Sequence, residues 1–229
     1  MHHGGMPTVT AIEILEDFTA RARLDQGFLR LKRFRAQNRH ADGTSSREYQ
    51  IDVIDRPTLD AVALCLWART ARGVEVLTRH QLRPAAYFRR GKPAALPEGE
   101  YLHVEEIVAG VLEPGELGDG ALRHRAAEEA REEAGLEVAE PQIRTLGGPF
   151  FALPGIVSEK IHVLEAEVVR PPGPDLGPAP HVGDGSPLEE GAFLQWRTLT
   201  DALAAIDAGR LEDGKTEIAF RRLAGRLGV

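Results

Sequence analysis

AGVLEPGELGDGALRHRAAEEAREEAGL, residues Ala109 to Leu136, decides how the rest of the chain is read. Pro114-Gly115 marks a turn, an amphipathic segment follows, and Gly135 supplies the residue type that most often ends a helix in left-handed geometry. The spacing predicts a helix over Ala121 to Ala134. At about 100° per residue, Leu122, Ala126, Ala130 and Ala134 fall on one stripe. That stripe faces a sheet, and its alanines let the helix backbone come close. Glu129 and Glu133 sit at the stripe's edge, Glu132 lies further out, and Glu128 points further toward solvent. Carboxylates four apart repel by about a few tenths of a kcal/mol, and these occupy the half of the helix where the macrodipole disfavours anions. A bound divalent cation offsets both effects, and hard oxygen ligands in an incomplete protein shell suit Mg²⁺ or Mn²⁺. A solvated acidic face is the competing reading of the same residues.

The flanking segments supply the sheet. AVALCLWART (Ala61 to Thr70) and GVEVLTRHQL (Gly73 to Leu82) read as a hairpin, and Tyr101 to Glu113 as a strand ending at Pro114-Gly115. Leu146 to Phe151 and Glu159 to Val169 are two further strands, joined through the turn at Pro154-Gly155, and AFLQW (Ala192 to Trp196) is another apolar run. Gln81 to Glu100 is expected to be irregular; its Arg83, Arg89 and Arg90 beside Tyr87 and Phe88 suit an anionic, ring-bearing ligand or a solvated loop. Arg170 to Pro187 is so dense in proline and glycine that it is expected to be a long loop without regular structure, and such loops are often functional. Two helices close the chain, one from Thr200-Asp201 to Gly209 and one after Asp213-Gly214.

At the other end, Ile12 to Arg23 and Phe28 to Asn38 alternate basic and apolar residues as half-wet strands do. Asp42-Gly43 turns the second of these into a hairpin with Arg47 to Ile54, and Arg56-Pro57 breaks the run. The chain therefore divides into a β arm over residues 1–57 and an α/β (α+β) domain over 58–229.

Composition narrows the function classes. With 42% hydrophobic and 28% charged residues, composition argues against the disordered and membrane classes, and no apolar run reaches the length of a bilayer span. A net charge of −7 argues against nucleic-acid binding through a broad basic surface. The single cysteine, Cys65, lies inside VALCLW and reads as a small buried hydrophobe; it excludes an intrachain disulfide and fits a reducing, cytoplasmic compartment. The opening MHHGGM lacks the basic-then-apolar order of a secretion signal.

EEAREEAGL, together with Gly110 and Glu116, resembles the signature of the Nudix hydrolases: a glycine, a spaced glutamate, then Arg-Glu-apolar-x-Glu-Glu-x-Gly-apolar. Glu129, Ala130, Glu132, Glu133, Gly135 and Leu136 match it. Glu128 stands where relatives keep an arginine, and the spacing from Glu116 is four residues longer, with Leu117 to Gly120 as the insertion. Arg125 or Arg131 is available to replace the missing arginine. EEIVAG (Glu105 to Gly110), RHQLRPA (Arg79 to Ala85), Ala152 to Val168 and DGKTEIAF (Asp213 to Phe220) are similar to the ADP-ribose pyrophosphatase-type members, so the resemblance runs from about Ala61 to the end.

The resemblance implies a Nudix-type α/β/α sandwich with a mixed sheet and metal-dependent hydrolysis of a nucleoside diphosphate linked to another group. It implies Glu129 and Glu133 as principal Mg²⁺ ligands, Glu132, Glu116 and the Ala109 carbonyl as supporting ones, and Glu190 or its neighbour Glu189 as general base. Arg83 becomes the candidate for the diphosphate or terminal ribose, and Glu106 a further substrate-binding candidate. In such members the N-terminal strands exchange between subunits, which implies a homodimer with Phe34 and Tyr49 as stacking residues for the base. ADP-ribose is the expected substrate. UDP- or GDP-sugars are the alternative, because GSPLEEG also resembles the late loop of UDP-sugar pyrophosphatases. A non-catalytic module that senses ADP-ribose and a plain α/β scaffold with a solvated acidic helix are the readings outside that chemistry.

Overall fold

The computed structural model describes residues 27–96, 99, 101–180 and 187–229; the strand expected over Ile12 to Arg23 lies outside them. Arg30–Ala36 (β1) and Tyr49–Asp55 (β2) form the expected antiparallel hairpin, with Phe34 opposite Ile51 and Ala36 opposite Tyr49. A two-stranded hairpin is marginal alone. This one is tied down at its base, where the Ile54 N–H donates to the Ile156 carbonyl at 2.9 Å and Arg56 pairs with Glu159 at 2.7 Å.

Asp60–Thr70 (β3) is buried from Ala61 to Ala68, the unbroken apolar run of a strand covered on both faces. It pairs with Gly73–Leu82 (β4) only near the turn, from Trp67 opposite Val76 to Thr70 opposite Gly73. Pro84–Tyr87 (α1) then makes one helical turn inside the stretch expected to be irregular, with proline at a position whose N–H a helix leaves unbonded anyway. Tyr101 to Glu113, expected as one strand, is two. His103–Glu106 (β5) lies on β4 and Val108–Val111 (β6) on β3, filling the gap where those strands diverge. Ile107, at the bend between them, points into the core.

Gly118–Ala134 (α2) begins three residues before the expected Ala121, because the inserted LGDG supplies its first turn instead of a loop. Gly118 enters that turn at φ +81°, a conformation other residues rarely adopt. Gly135 closes the helix at φ +65°, donating to the Arg131 carbonyl at 3.1 Å. Ala126 and Ala130 are fully buried with Leu64, Leu66 and Leu77 in one of the two core clusters.

The strand expected over Leu146 to Phe151 is reduced to two short pairings, Arg144–Thr145 (β7) and Phe150–Phe151 (β8), with Gly147 turning between them. Both lie on Lys160–Glu167 (β9), which runs parallel to β3. The proline-rich stretch is also not wholly irregular. Leu176–Pro178 (β10) pairs with Phe193–Thr198 (β11) at the sheet edge, where a proline costs no interior ladder bond. Leu199–Asp207 (α3) is capped by Thr198, whose hydroxyl accepts from the Asp201 N–H, and Gly214–Leu227 (α4) by Asp213.

The sheet order is β10-β11-β4-β3-β9-β7, with β5, β6 and β8 on β4, β3 and β9. The α2 alanines share one core with the sheet, and α3 and α4 share the other. The architecture is therefore α/β/α, a mixed α+β sandwich: the α+β class is the one the strand and helix patterning predicts, and the layering is the one the resemblance implies. Cys65 is buried in it, and burial, reinforced by the Glu165 carboxylate, pushes its thiol well above the usual range. No described helix is long and apolar enough to cross a membrane.

Candidate functional site

The bend at Ile107 is docked on the start of α4. Thr216 Oγ1 accepts from the Ile107 N–H at 2.9 Å, and the neighbouring Lys215 is ion-paired with Glu106. Glu106, 2% exposed, also accepts from Arg83 Nε at 2.6 Å and Gln81 Nε2 at 2.7 Å. Burial alone would push this carboxyl up, but Lys215 and Arg83 outweigh it and hold the group at about 2. Glu106 thus lies behind two cations that face a cavity of about 580 Å³, a size suited to a small ligand. Arg83 and Lys215 share the cavity wall with Ala109, Gly110, Phe150 and Phe151.

Gly110, on the wall of this cavity, is also where α2 meets β6. A Cβ at Gly110 would lie 1.7 Å from Glu129 Oε1, so only glycine lets that carboxylate rest on the β6 backbone. One helical turn on, buried Glu133 accepts from the Ala109 N–H at 3.0 Å through one oxygen and is ion-paired with Arg79 through the other. Burial pushes Glu133 upward, and Arg79 opposes that push. Glu129 makes no hydrogen bond or ion pair among the described residues. Burial, then the Glu133 carboxylate, push it up to about 8 despite Arg125 and Arg79 nearby.

The remaining acids of the helix are neutralised. Glu132, more exposed, pairs with Arg131 at 3.0 Å. Arg125 holds Glu116 at 3.1 Å, Glu128 at 3.3 Å and Glu113 at 3.4 Å. Glu128, in the arginine's place, is therefore an acidic partner of an arginine one turn earlier. Ligand atoms of Glu116, His124 and Glu128 come within 4.8 Å of one another, but Arg125 binds both glutamates. A divalent cation fits better at Glu129, a half-buried carboxylate beside a second one, without the positive partner that its ionised form requires. Glu133, and then Glu132 and Glu116 released from their arginines, are the groups that would join it. Ala109 lies in β6 opposite Ala63, next to Gly110 on the cavity wall.

The late acids divide. Glu189 ends the single turn Pro187–Glu189, and its carboxylate lies 3.5 Å from Arg79, extending the Glu133–Arg79 pair. Glu190 is exposed beside it. Phe34 and Tyr49 stand on the arm, 48% and 41% exposed, and neither lines the cavity in its own chain. Counted from the junction at Ile54 they are three and five residues out, roughly 10 and 17 Å at a strand rise of about 3.3 Å.

Arg79 and Lys215 are site residues that the sequence reading missed. Arg79 shares strand parity with inward-facing Leu77, a signal of a buried charge, and is 1% exposed. Lys215 is the second residue after the Asp213 cap, in the first turn of α4, where the sequence signals only a helix start. Arg83 and Lys215 thus put two cations on the cavity wall, and the uncompensated Glu129 packs against Gly110 of that wall, an arrangement that can hold a metal-bound anion. No protein-family model and no curated protein matches the chain.

Proposed function

We propose that this protein is a Nudix-type hydrolase that splits the diphosphate of ADP-ribose with a divalent cation, giving AMP and ribose 5-phosphate. Glu129 carries the reading: glycine at position 110, on the cavity wall, lets a carboxylate without a partner rest against β6. Bound Mg²⁺ would neutralise the diphosphate and acidify the attacking water. Glu129 and Glu133 would hold it from α2, with Ala109, Glu116 and Glu132 in support. Arg83 and Lys215, oriented by Glu106, present two cations to the diphosphate. Glu190 is the preferred base because Glu189 is engaged by Arg79. Water adds to one phosphorus, the bridging P–O bond breaks, and the base takes the water's proton. Arg125 holds Glu116 and Glu128 beside the helix, the orienting role expected of the displaced arginine.

ADP-ribose, UDP-sugars, GDP-sugars, NADH and dinucleoside polyphosphates incubated with Mg²⁺ and followed by ³¹P NMR test the proposal. Release of AMP from ADP-ribose is expected; faster release from a UDP- or GDP-sugar would move the substrate within the same chemistry. No turnover of any compound by folded protein would overturn the hydrolase. A second reading, a non-catalytic module that senses ADP-ribose, is favoured by the arginines on Glu133 and Glu116, and predicts binding without turnover. The exposed Phe28, Leu29, Phe34, Tyr49 and Ile51 of the arm support a homodimer, to be checked by light scattering.

A further inference from the structure

The cavity has an aromatic wall that neither the acids nor the arm explains. Phe150 and Phe151 pair with Ile161 and Lys160 of β9, so β8 stands on the far side of β9 and β3 from Gly110. The register crosses from Phe150 through Ile161 and Ala61 to Val111, the neighbour of Gly110. Three interstrand spacings of about 4.8 Å put the two walls roughly 14 Å apart. That separation accommodates an extended ligand with a ring at one end and its charge at the other, longer than a free phosphate.

Phe151 is prepared for such a ring. Its side chain is 47% exposed and lines the cavity, whereas Phe150 packs against the core. The Lys160 ammonium lies 5.0 Å from the centre of the Phe151 ring and takes one face. The turn that presents it is held from below, because Arg222 on α4 donates to the carbonyls of Leu146 at 3.0 Å and Gly148 at 2.7 Å. An apolar ring exposed on a braced turn, at the mouth of a charged cavity, has no folding purpose that its burial would explain. A planar heteroaromatic ring stacked on it gains dispersion and removes apolar surface from water.

We propose that Phe151 is the ring-stacking, specificity-determining residue of this cavity, receiving the base of a nucleotide whose phosphates point toward Arg83 and Lys215. This rests on the hydrolase reading only for the identity of the phosphates' partner; the stacking itself requires no turnover. It also assigns to the chain's own core a role that the arm residues Phe34 and Tyr49 were expected to fill.

Equilibrium binding of AMP, UMP, GMP and inorganic pyrophosphate, measured calorimetrically on the whole chain, separates base from phosphate recognition. Phe151→Ala is expected to weaken AMP binding roughly tenfold while leaving pyrophosphate binding unchanged, and Phe151→Tyr to restore it. Phe151→Leu keeps an apolar side chain of similar bulk but no ring, so it covers the case in which the alanine variant misfolds. Unaltered nucleotide affinity in folded Phe151→Leu, or no nucleotide binding by the unsubstituted protein, would overturn the assignment. Phe151-dependent AMP binding without turnover of any diphosphate would sustain it and sink the hydrolase. Turnover with unchanged KM in Phe151→Leu would do the reverse.

Discussion

Glu106 and Glu129 are two carboxylates near one strand bend that the protein treats in opposite ways. Glu106 is enclosed by Lys215, Arg83 and Gln81 and is held at about 2; Glu129 rests on Gly110 without a partner and is pushed to about 8. The pair is informative because burial raises both and the neighbouring charges decide the outcome: Lys215 and Arg83 surround Glu106, whereas the Glu133 carboxylate adds to the push on Glu129. A compensated acid organises the cavity wall. An uncompensated one packed on Gly110 is a place where positive charge is still to be supplied, and a divalent metal is the simplest source.

Breaking the compensated side gives the largest effect. Glu106→Ala removes the acid that Arg83 and Lys215 share, although Lys215 keeps Asp213 at 2.9 Å, and is expected to cost about 3 kcal/mol of unfolding free energy, read from urea denaturation. The same carboxylate sets a pH dependence. Its folded value lies below the ordinary 4.5, so its contribution is full above that pH and is lost as pH falls toward 2. Urea midpoints for the unsubstituted protein and Glu106→Gln should therefore converge on acidification from 5 to about 2. A gap that stays constant over that range would contradict it.

On the uncompensated side, Gly110→Ala sharpens the comparison, because the added Cβ displaces the Glu129 carboxylate without touching Glu106. Turnover should fall by about 100-fold with little loss of stability. Steady-state rates with Mg²⁺ beside a thermal melt check both halves. Arg125→Ala should have a smaller effect, about tenfold on kcat, because Glu116 and Glu128 lose their common clamp while Glu129 keeps its place. Unchanged kinetics would remove Arg125 from the site. Substitution of Phe34 by alanine should leave the core's melting temperature unchanged and act only on oligomeric mass, since that side chain stands on the exposed arm.

The sandwich was legible where one periodicity dominated. The buried run Ala61 to Ala68, the alanine stripe of α2 and the Asp213 cap each correspond to a physical constraint written into consecutive residues. What was not legible depends on partners distant in the chain. The strand over Tyr101 to Glu113 splits because β3 and β4 diverge around it, and no local pattern records that divergence. Leu176–Pro178 becomes a strand because β11 offers an edge, against a local composition that argues for coil. In the site, the acids of α2 stood out by spacing, and Gly110 by its place before them. Arg79 and Lys215 did not, because a cation's role is fixed by the acid it meets across 54 and 109 residues of chain.

The most direct test is the Mg²⁺ response of Glu129→Gln measured by thermal melt and by ADP-ribose turnover in the same preparation. Glu129 is a carboxylate whose ionised form the fold disfavours, so neutral glutamine should hold or raise the melting temperature in EDTA at pH 8. It should also abolish the rise on adding Mg²⁺ and lower turnover by about three orders of magnitude. A variant that melts lower in EDTA, still responds to Mg²⁺ and still turns over would show that Glu129 is an ordinary structural acid and that the charge-deficient site is not where the chemistry occurs.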